Sequence, residues 1–161
     1  MKILSLIVLA LAVASPSVAQ NAGQIARVKA GGPCPGCNLF QADLVGANLR
    51  GRNLARARLR QADLSTALAG HARFSGGDLR DLNAYGATMG GADFAHADLT
   101  NASFVGAYLE GANFAGATLG GTNFSGAEMA RSRGLSQSQL AAACGDGSTA
   151  LPRGLHLKPC N

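Results

Sequence analysis

A bulky apolar residue returns at every fifth position through most of this chain, and no ordinary helix or strand can bury such a series. Leu or Phe stands at Leu39, Leu44, Leu49, Leu54, Leu59, Leu64, Phe74, Leu79, Phe94, Leu99, Phe104, Leu109, Phe114, Leu119 and Phe124, with Met89 and Met129 in step. Only Ala69 and Ala84 interrupt the nineteen centres. Alanine occupies the position two before the centre fourteen times, as at Ala42, Ala57, Ala92 and Ala112, and Asp or Asn is common between the two. Five steps of an α-helix overshoot a full turn by about 140°, and five steps of a strand reverse its face. The chain must therefore bend once per unit, with the centre and its alanine turned inward.

Short fixed periods of this kind mark solenoids, in which each coil buries its apolar face on the next. The Ala-Asp/Asn-Leu-x-x unit, running from Cys37 to about Arg131, resembles the signature of the pentapeptide-repeat proteins. That resemblance implies an all-β solenoid, a right-handed quadrilateral β-helix with four units per coil. Nearly five coils stacked at about 4.8 Å would give a rod roughly 23 Å tall. Positions twenty apart should then lie above one another: Leu39, Leu59, Leu79, Leu99 and Leu119 form one column, and Leu54, Phe74, Phe94 and Phe114 another. Leu82, in an alanine slot beside Ala84, restores the volume that close packing demands. Arg58 should fall below Asp78 and Arg73 below Asp93, pairing opposite charges along the wall.

The 161 residues suffice for one domain, and only 14% are charged, which argues against disorder. Residues 1–19 read as a signal peptide: Met1-Lys2, the apolar run from Ile3 to Ala14, then Ser17-Val18-Ala19 before a cleavage at Gln20. Pro16 follows too soon for a membrane-spanning helix. Loss of Lys2 would lower the formal charge from +5 to +4. Residues 20–36 form a leader with a short strand expected around Ile25 to Val28. Residues 37–131 are the repeat and 132–161 the closing cap. A periplasmic or secreted location is expected from the signal peptide.

The cap should cover the open sheet edge of the last coil. Ser136 suits a helix N-cap, Gln139 completes a capping box, Leu135 and Leu140 form a hydrophobic staple, and Gly145 is the expected stop. Leu151, Leu155 and Leu157 could lie over the coil. This tail also resembles those of exported bacterial pentapeptide-repeat proteins, with their Cys-Gly-Asp, Leu-Pro and final Pro-Cys. Four cysteines allow three pairings. Cys34 and Cys37 precede the rod while Cys144 and Cys160 follow it, which favours Cys34 with Cys37 and Cys144 with Cys160, in keeping with export. The C-x-x-C spacing also suits a redox pair, and the cysteines with His156 could supply zinc ligands, but neither a βαβ context nor convergence of the two pairs supports these readings.

Function must then reside on the outer wall. Arg50, Arg52, Arg56, Arg58 and Arg60 form a basic cluster that could bind an anionic polymer or lipid; a solvated corner with paired charges is the alternative. Arg52 stands in a normally inward slot. His71 and His96 face outward on different sides. No catalytic constellation or phosphate loop emerges around Gly90-Gly91 or Gly120-Gly121, so no enzyme activity and no cofactor are expected. The expected role is a non-enzymatic, exported scaffold binding a macromolecule of the bacterial cell envelope or forming part of it. The alternative implied by the resemblance is a DNA mimic that binds topoisomerases; the basic charge and the signal peptide disfavour it.

Overall fold

Each pentad closes on a left-handed residue. The computed structural model describes residues 21–161, so the expected signal peptide, 1–19, lies outside the described residues. Every fifth residue from Gln41 to Gly126 has φ between 52° and 73°. Across each bend the next alanine slot donates its N–H to the carbonyl of the centre, as from Ala42 to Leu39 at 3.1 Å and from Ala92 to Met89 at 3.0 Å. A positive φ at the third position is what a type II turn requires, and glycine adopts it without steric cost. Gly46, Gly86 and Gly106 meet that need in one column, whereas Thr66, at φ 56°, holds the same position with a β-branched side chain.

The Asp and Asn residues of the second slot clamp the bend from outside. Asp63 accepts the N–H of Ser65 at 2.8 Å, Asp93 that of Ala95 at 3.1 Å and Asn123 that of Ser125 at 2.9 Å. This local bond, spanning two residues, is the physical reason for those residue types at that slot.

Coils stack with a rise of twenty residues. Parallel bridges join Asn38, Arg58, Asp78, Asp98 and Thr118 on one wall, and Asp43, Asp63, Asn83, Ser103 and Asn123 on the next. Asn48, Leu68, Thr88, Tyr108 and Glu128 make the third wall, and Asn53, Arg73, Asp93, Asn113 and Arg133 the fourth. The pairings are single-residue bridges because a bend every five residues leaves no room for longer strands. Between coils, Leu39 N–H reaches Arg58 O at 2.8 Å and Arg58 N–H reaches Cys37 O at 2.8 Å, a pattern repeated up the rod.

The interior is filled by the centres and alanines. Leu39, Leu59, Leu79, Leu99 and Leu119 are buried in one column. Phe94 is stacked between Phe74 and Phe114, with ring centroids at 5.3 and 5.2 Å, and meets Phe104 edge-on at 5.6 Å. Leu82 is buried beside the small Ala84. Thr122, in an alanine slot, is buried because its hydroxyl donates to Leu99 O at 2.9 Å.

The lower end is covered by a helix, α1 (Ala22–Lys29), not by the expected strand at Ile25 to Val28. Asn21 caps it by accepting Gln24 N–H, Arg27 and Lys29 suit the negative end of its dipole, and Val28 is buried with Ile25 packed on the core. Two apolar residues three apart share a helix face, whereas they would point to opposite faces of a strand.

At the upper end α2 (Gln137–Leu140) has the Ser136–Gln139 capping box, and Leu140 is buried. Gly145 is not its stop. The helix ends at Leu140 because the last coil takes up the chain: Gly121 N–H donates to Ala142 O at 2.7 Å and Phe124 N–H to Cys144 O at 2.9 Å. Gly145 instead belongs to β1 (Cys144–Gly145), which pairs in parallel with β2 (Lys158–Pro159). Gln139 Nε2 donates to Phe114 O and Ala117 O, and Thr149 Oγ1 to Phe124 O, fastening the cap to the rod. Leu151, Leu155 and Leu157 pack against the core. Cys34 is bonded to Cys37 and Cys144 to Cys160.

Candidate binding groove

Because each pentad turns a quarter of a coil, residues ten apart lie on opposite bends. Arg50 and Arg60 are therefore separated by the width of the rod, and the five arginines do not form one corner. Arg60 pairs with Asp81 at 3.6 Å, and Arg56 runs beneath Gly76 on a third bend. Arg58 lies on a flat wall in register with Asp78, as the repeat requires, but the carboxylate of Asp78 is held by Arg80 at 2.7 and 2.8 Å. That contact keeps Asp78 below the ordinary carboxylate range. Arg73 likewise lies in register with Asp93. Arg52 is half-buried against Gly31, and its Nε has no hydrogen-bond partner.

Arg50 alone of the five lines a groove of about 820 Å³ that follows one bend up the rod. Gly51, Gly70, Gly90, Gly91 and Gly111 form its floor. The absence of side chains there admits two rings: a Cβ on Gly90 would lie 2.7 Å from Tyr108 Cε1, and one on Gly91 2.6 Å from His71 Nδ1. Tyr108 remains 39% exposed. Arg131 and Arg133 close the upper end. Glu110 accepts the Nε–H of Arg131 at 2.9 Å and also caps the N–H groups of Ala130 and Arg131. The guanidinium of Arg131 is the main cause of the lowered Glu110 pKa.

The groove wall departs from the repeat in one further way. Its second-slot residues are Leu68, Thr88 and Tyr108: Leu and Tyr offer the bend no acceptor, and the Thr88 hydroxyl, which could accept weakly, makes no bond to Gly90 N–H here. Among the described residues, the N–H groups of Gly70, Gly90 and Glu110 consequently have no acceptor, while Arg50 N–H below them is capped by Asn48 at 3.3 Å. Uncapped N–H groups at Arg60, Ser75 and Val105 each stand between capped neighbours in their columns, and that of Gly120 stands above the capped Thr100. The run of three was legible in the sequence as Leu, Thr and Tyr at one slot of successive coils.

The pentapeptide-repeat model matches residues 36–68, 67–101 and 92–129, covering more than half of the chain. The chain belongs to the pentapeptide repeat family. Family members fold as right-handed quadrilateral β-helices and are generally non-enzymatic scaffolds. Among solved structures, the chain is similar to a pentapeptide repeat protein of the Arabidopsis thaliana thylakoid lumen, at 28% identity over 61% of this chain and 75% of that one, with a TM-score of 0.33. It is also similar to HetL, involved in heterocyst differentiation regulation in the cyanobacterium Nostoc sp. strain PCC 7120, at 24% identity over 80% and 65% of the two chains and a TM-score of 0.36. A third is QnrB1, a plasmid-mediated fluoroquinolone resistance protein, at 21% identity over 76% and 77% and a TM-score of 0.34. No curated protein matches the chain.

Among the described residues, no group of His, Cys, Asp and Glu is arranged to hold a metal ion, and no helix is long and apolar enough to cross a membrane. His71 borders the groove and His96 lies on another bend, so the two are not brought together.

Proposed function

We propose that this chain is an exported, non-enzymatic scaffold of the bacterial cell envelope, wound as a right-handed quadrilateral β-helix, that binds an anionic macromolecule on its outer wall. The groove beginning at Arg50 carries this reading: it is a concave surface with Arg50 at one end and Arg131 and Arg133 at the other, while the inside of the rod is taken up by packed Leu, Phe and Ala. Arg50, Arg131 and Arg133 outnumber Glu110 there, which favours an anionic partner. A concave cationic strip suits a polymer strand better than a flat lipid surface. Two disulfides, one at each end of the rod, support an oxidising compartment. The same basic surface, with a formal charge of +5, weighs against imitation of DNA.

Expression of the full chain with and without residues 1–19 tests the export reading. The intact chain should appear in the periplasm or medium, shortened to begin near Gln20, with all four cysteines resistant to alkylation. Cytosolic retention of an uncleaved chain with alkylated cysteines would overturn it.

A further inference from the structure

We propose that the chain pairs with a second copy of itself along the bend between the second and third walls, the two rods antiparallel and the third coil of each on the twofold axis. This goes beyond the anion-binding reading and uses none of the groove's cations. The turn positions of the other three bends include charged residues: Arg60, Arg80 and Asp81 on one, Arg50, Glu110 and Arg131 on another, and Arg56 on the last. The bend between the second and third walls has none in five coils. It carries Val45 and Tyr85, 55% and 58% exposed, and the outward column of the third wall beside it adds Tyr108. These three are the exposed large hydrophobic residues among the described ones. Glu128 is the single charge in the fifteen outward positions, three per coil, that the bend and this column contribute. A contiguous surface of this kind marks an interaction site. The bend is also open: a Cβ on Gly106 would meet nothing within 4 Å, and one on Gly86 only Thr66 Cγ2 at 3.9 Å.

Period and size both select another copy as the occupant. Side chains on this face recur once per coil, at about 4.8 Å, and a second rod of the same rise stays in step over all five coils. Same-face side chains of an extended peptide recur at roughly 6.4–6.8 Å and fall out of step. Reversing the rod about its third coil sets coil one against coil five and coil two against coil four. Val45 then meets Ser125, Ser65 meets Val105, and Leu68 meets Tyr108, each contact being made twice. Tyr85 meets its own counterpart on the axis, and Asn48 faces Glu128. An isologous contact requires a patch that complements itself in this way. Charge fixes the direction. Residues 37–76, the lower two coils, hold six Arg and two Asp, whereas residues 97–136, the upper two, hold two Arg and three acidic residues. Parallel rods would set two basic ends side by side, while antiparallel rods set each basic end beside the more acidic end of the other copy. Fifteen residues per copy correspond to roughly 500 Å² a side, about 1,000 Å² in all, which suits a weak dimer and not an obligate one.

The test is sedimentation equilibrium of the oxidised protein from about 10 to about 500 µM, where a dimer with a Kd of about 10–100 µM is expected. Added salt should tighten the pairing by screening the net positive charge of each copy, whereas anion binding in the groove would weaken. Tyr85→Arg puts like charges together on the axis and should leave the protein monomeric throughout. Because Tyr85 is exposed, the denaturation midpoint of this variant in dilute solution should not change. Thr118→Arg, the same charge at an exposed position of the first wall, should pair as the wild type does. The native cysteines are all in disulfides, so an introduced cysteine is the reactive one. A short bismaleimide should join Ser65→Cys to Val105→Cys in a mixture of the two variants, and should not join Ser65→Cys to itself. A wild-type protein still monomeric at about 500 µM, or a Tyr85→Arg variant that pairs, would overturn the proposal. Self-linking of Ser65→Cys would overturn the antiparallel arrangement. Adsorption of a monomeric protein to phosphatidylcholine vesicles would assign the stripe to lipid and overturn the pairing.

Discussion

Removing the ring of Phe94 probes the stacked interior most directly. Phe94 is fully buried, sandwiched by Phe74 and Phe114 and met edge-on by Phe104. Phe94→Ala would lose the transfer energy of the ring and leave a cavity, for which about 3–5 kcal/mol is usual. Each lost aromatic pairing adds roughly 0.5–1.5 kcal/mol when geometry is favourable. Collapse cannot recover much, because Phe94 N–H is held to Asn113 O at 2.8 Å and Asp93 N–H to Ala72 O at 2.9 Å, fixing the coils above and below. The upper half of the 3–5 kcal/mol range is therefore expected, about 4–5 kcal/mol. Urea denaturation followed by far-ultraviolet circular dichroism, and by fluorescence of Tyr85 and Tyr108 in a chain without Trp, measures it. Val45→Ala, at a residue 55% exposed, is the control and should stay within about 0.5 kcal/mol. A Phe94→Ala loss below about 1 kcal/mol would refute the packed aromatic column.

Thr66→Gly should stabilise the rod by about 0.5–1 kcal/mol, since a β-branched residue now sits at φ 56°; a lowered midpoint in the same assay would contradict this. Gly77→Ala restores the alanine of the repeat yet should destabilise by about 1–3 kcal/mol. Its Cβ would lie 2.7 Å from Leu79 Cδ1 and 3.0 Å from Phe74 O, and an unchanged midpoint would show that the wall can yield. Cys144→Ser with Cys160→Ser should cost the cap about 3 kcal/mol, read as faster amide exchange over 137–160 than in the rod; equal exchange in both would oppose a separately closed cap. Asp63, Asp78 and Glu110 are all held below their ordinary pKa values, by Ser65, Arg80 and Arg131 respectively. Their contribution is fully present above the unfolded carboxylate range near pH 4 and is lost as pH falls through the lower folded values, so the urea midpoint should drop on acidification below about pH 4. A midpoint flat from pH 6 to pH 2.5 would oppose it.

The pattern of burial was readable before any coordinates because a period of five, carried through nineteen units, forces one bend per unit and leaves only the centre and its alanine for the inside. Columns twenty apart then followed from the four walls that the resemblance to pentapeptide-repeat proteins implies. Local rules also located the Ser136 cap, whose bonds span three residues. The leader resisted the same treatment. An eight-residue helix offers too few apolar positions for periodicity to register, and Val28 is buried only because the first coil lies beside it.

Side-chain partners were decided by the tertiary structure. The arginines at 50–60 look like one cluster along the chain, but winding distributes them over different bends, and Asp78 goes to Arg80 on its own bend instead of to Arg58 in the coil below. Gly145 was placed in a strand because the last coil claims the carbonyls around it. The groove arose in the same way. Leu68, Thr88 and Tyr108 are twenty residues apart and each is an unremarkable exception to the repeat; stacking aligns them, leaving three N–H groups open on one wall. Repetition determines what each residue does within its own coil, whereas recognition depends on which residues of different coils become neighbours, and that is set only when the chain winds.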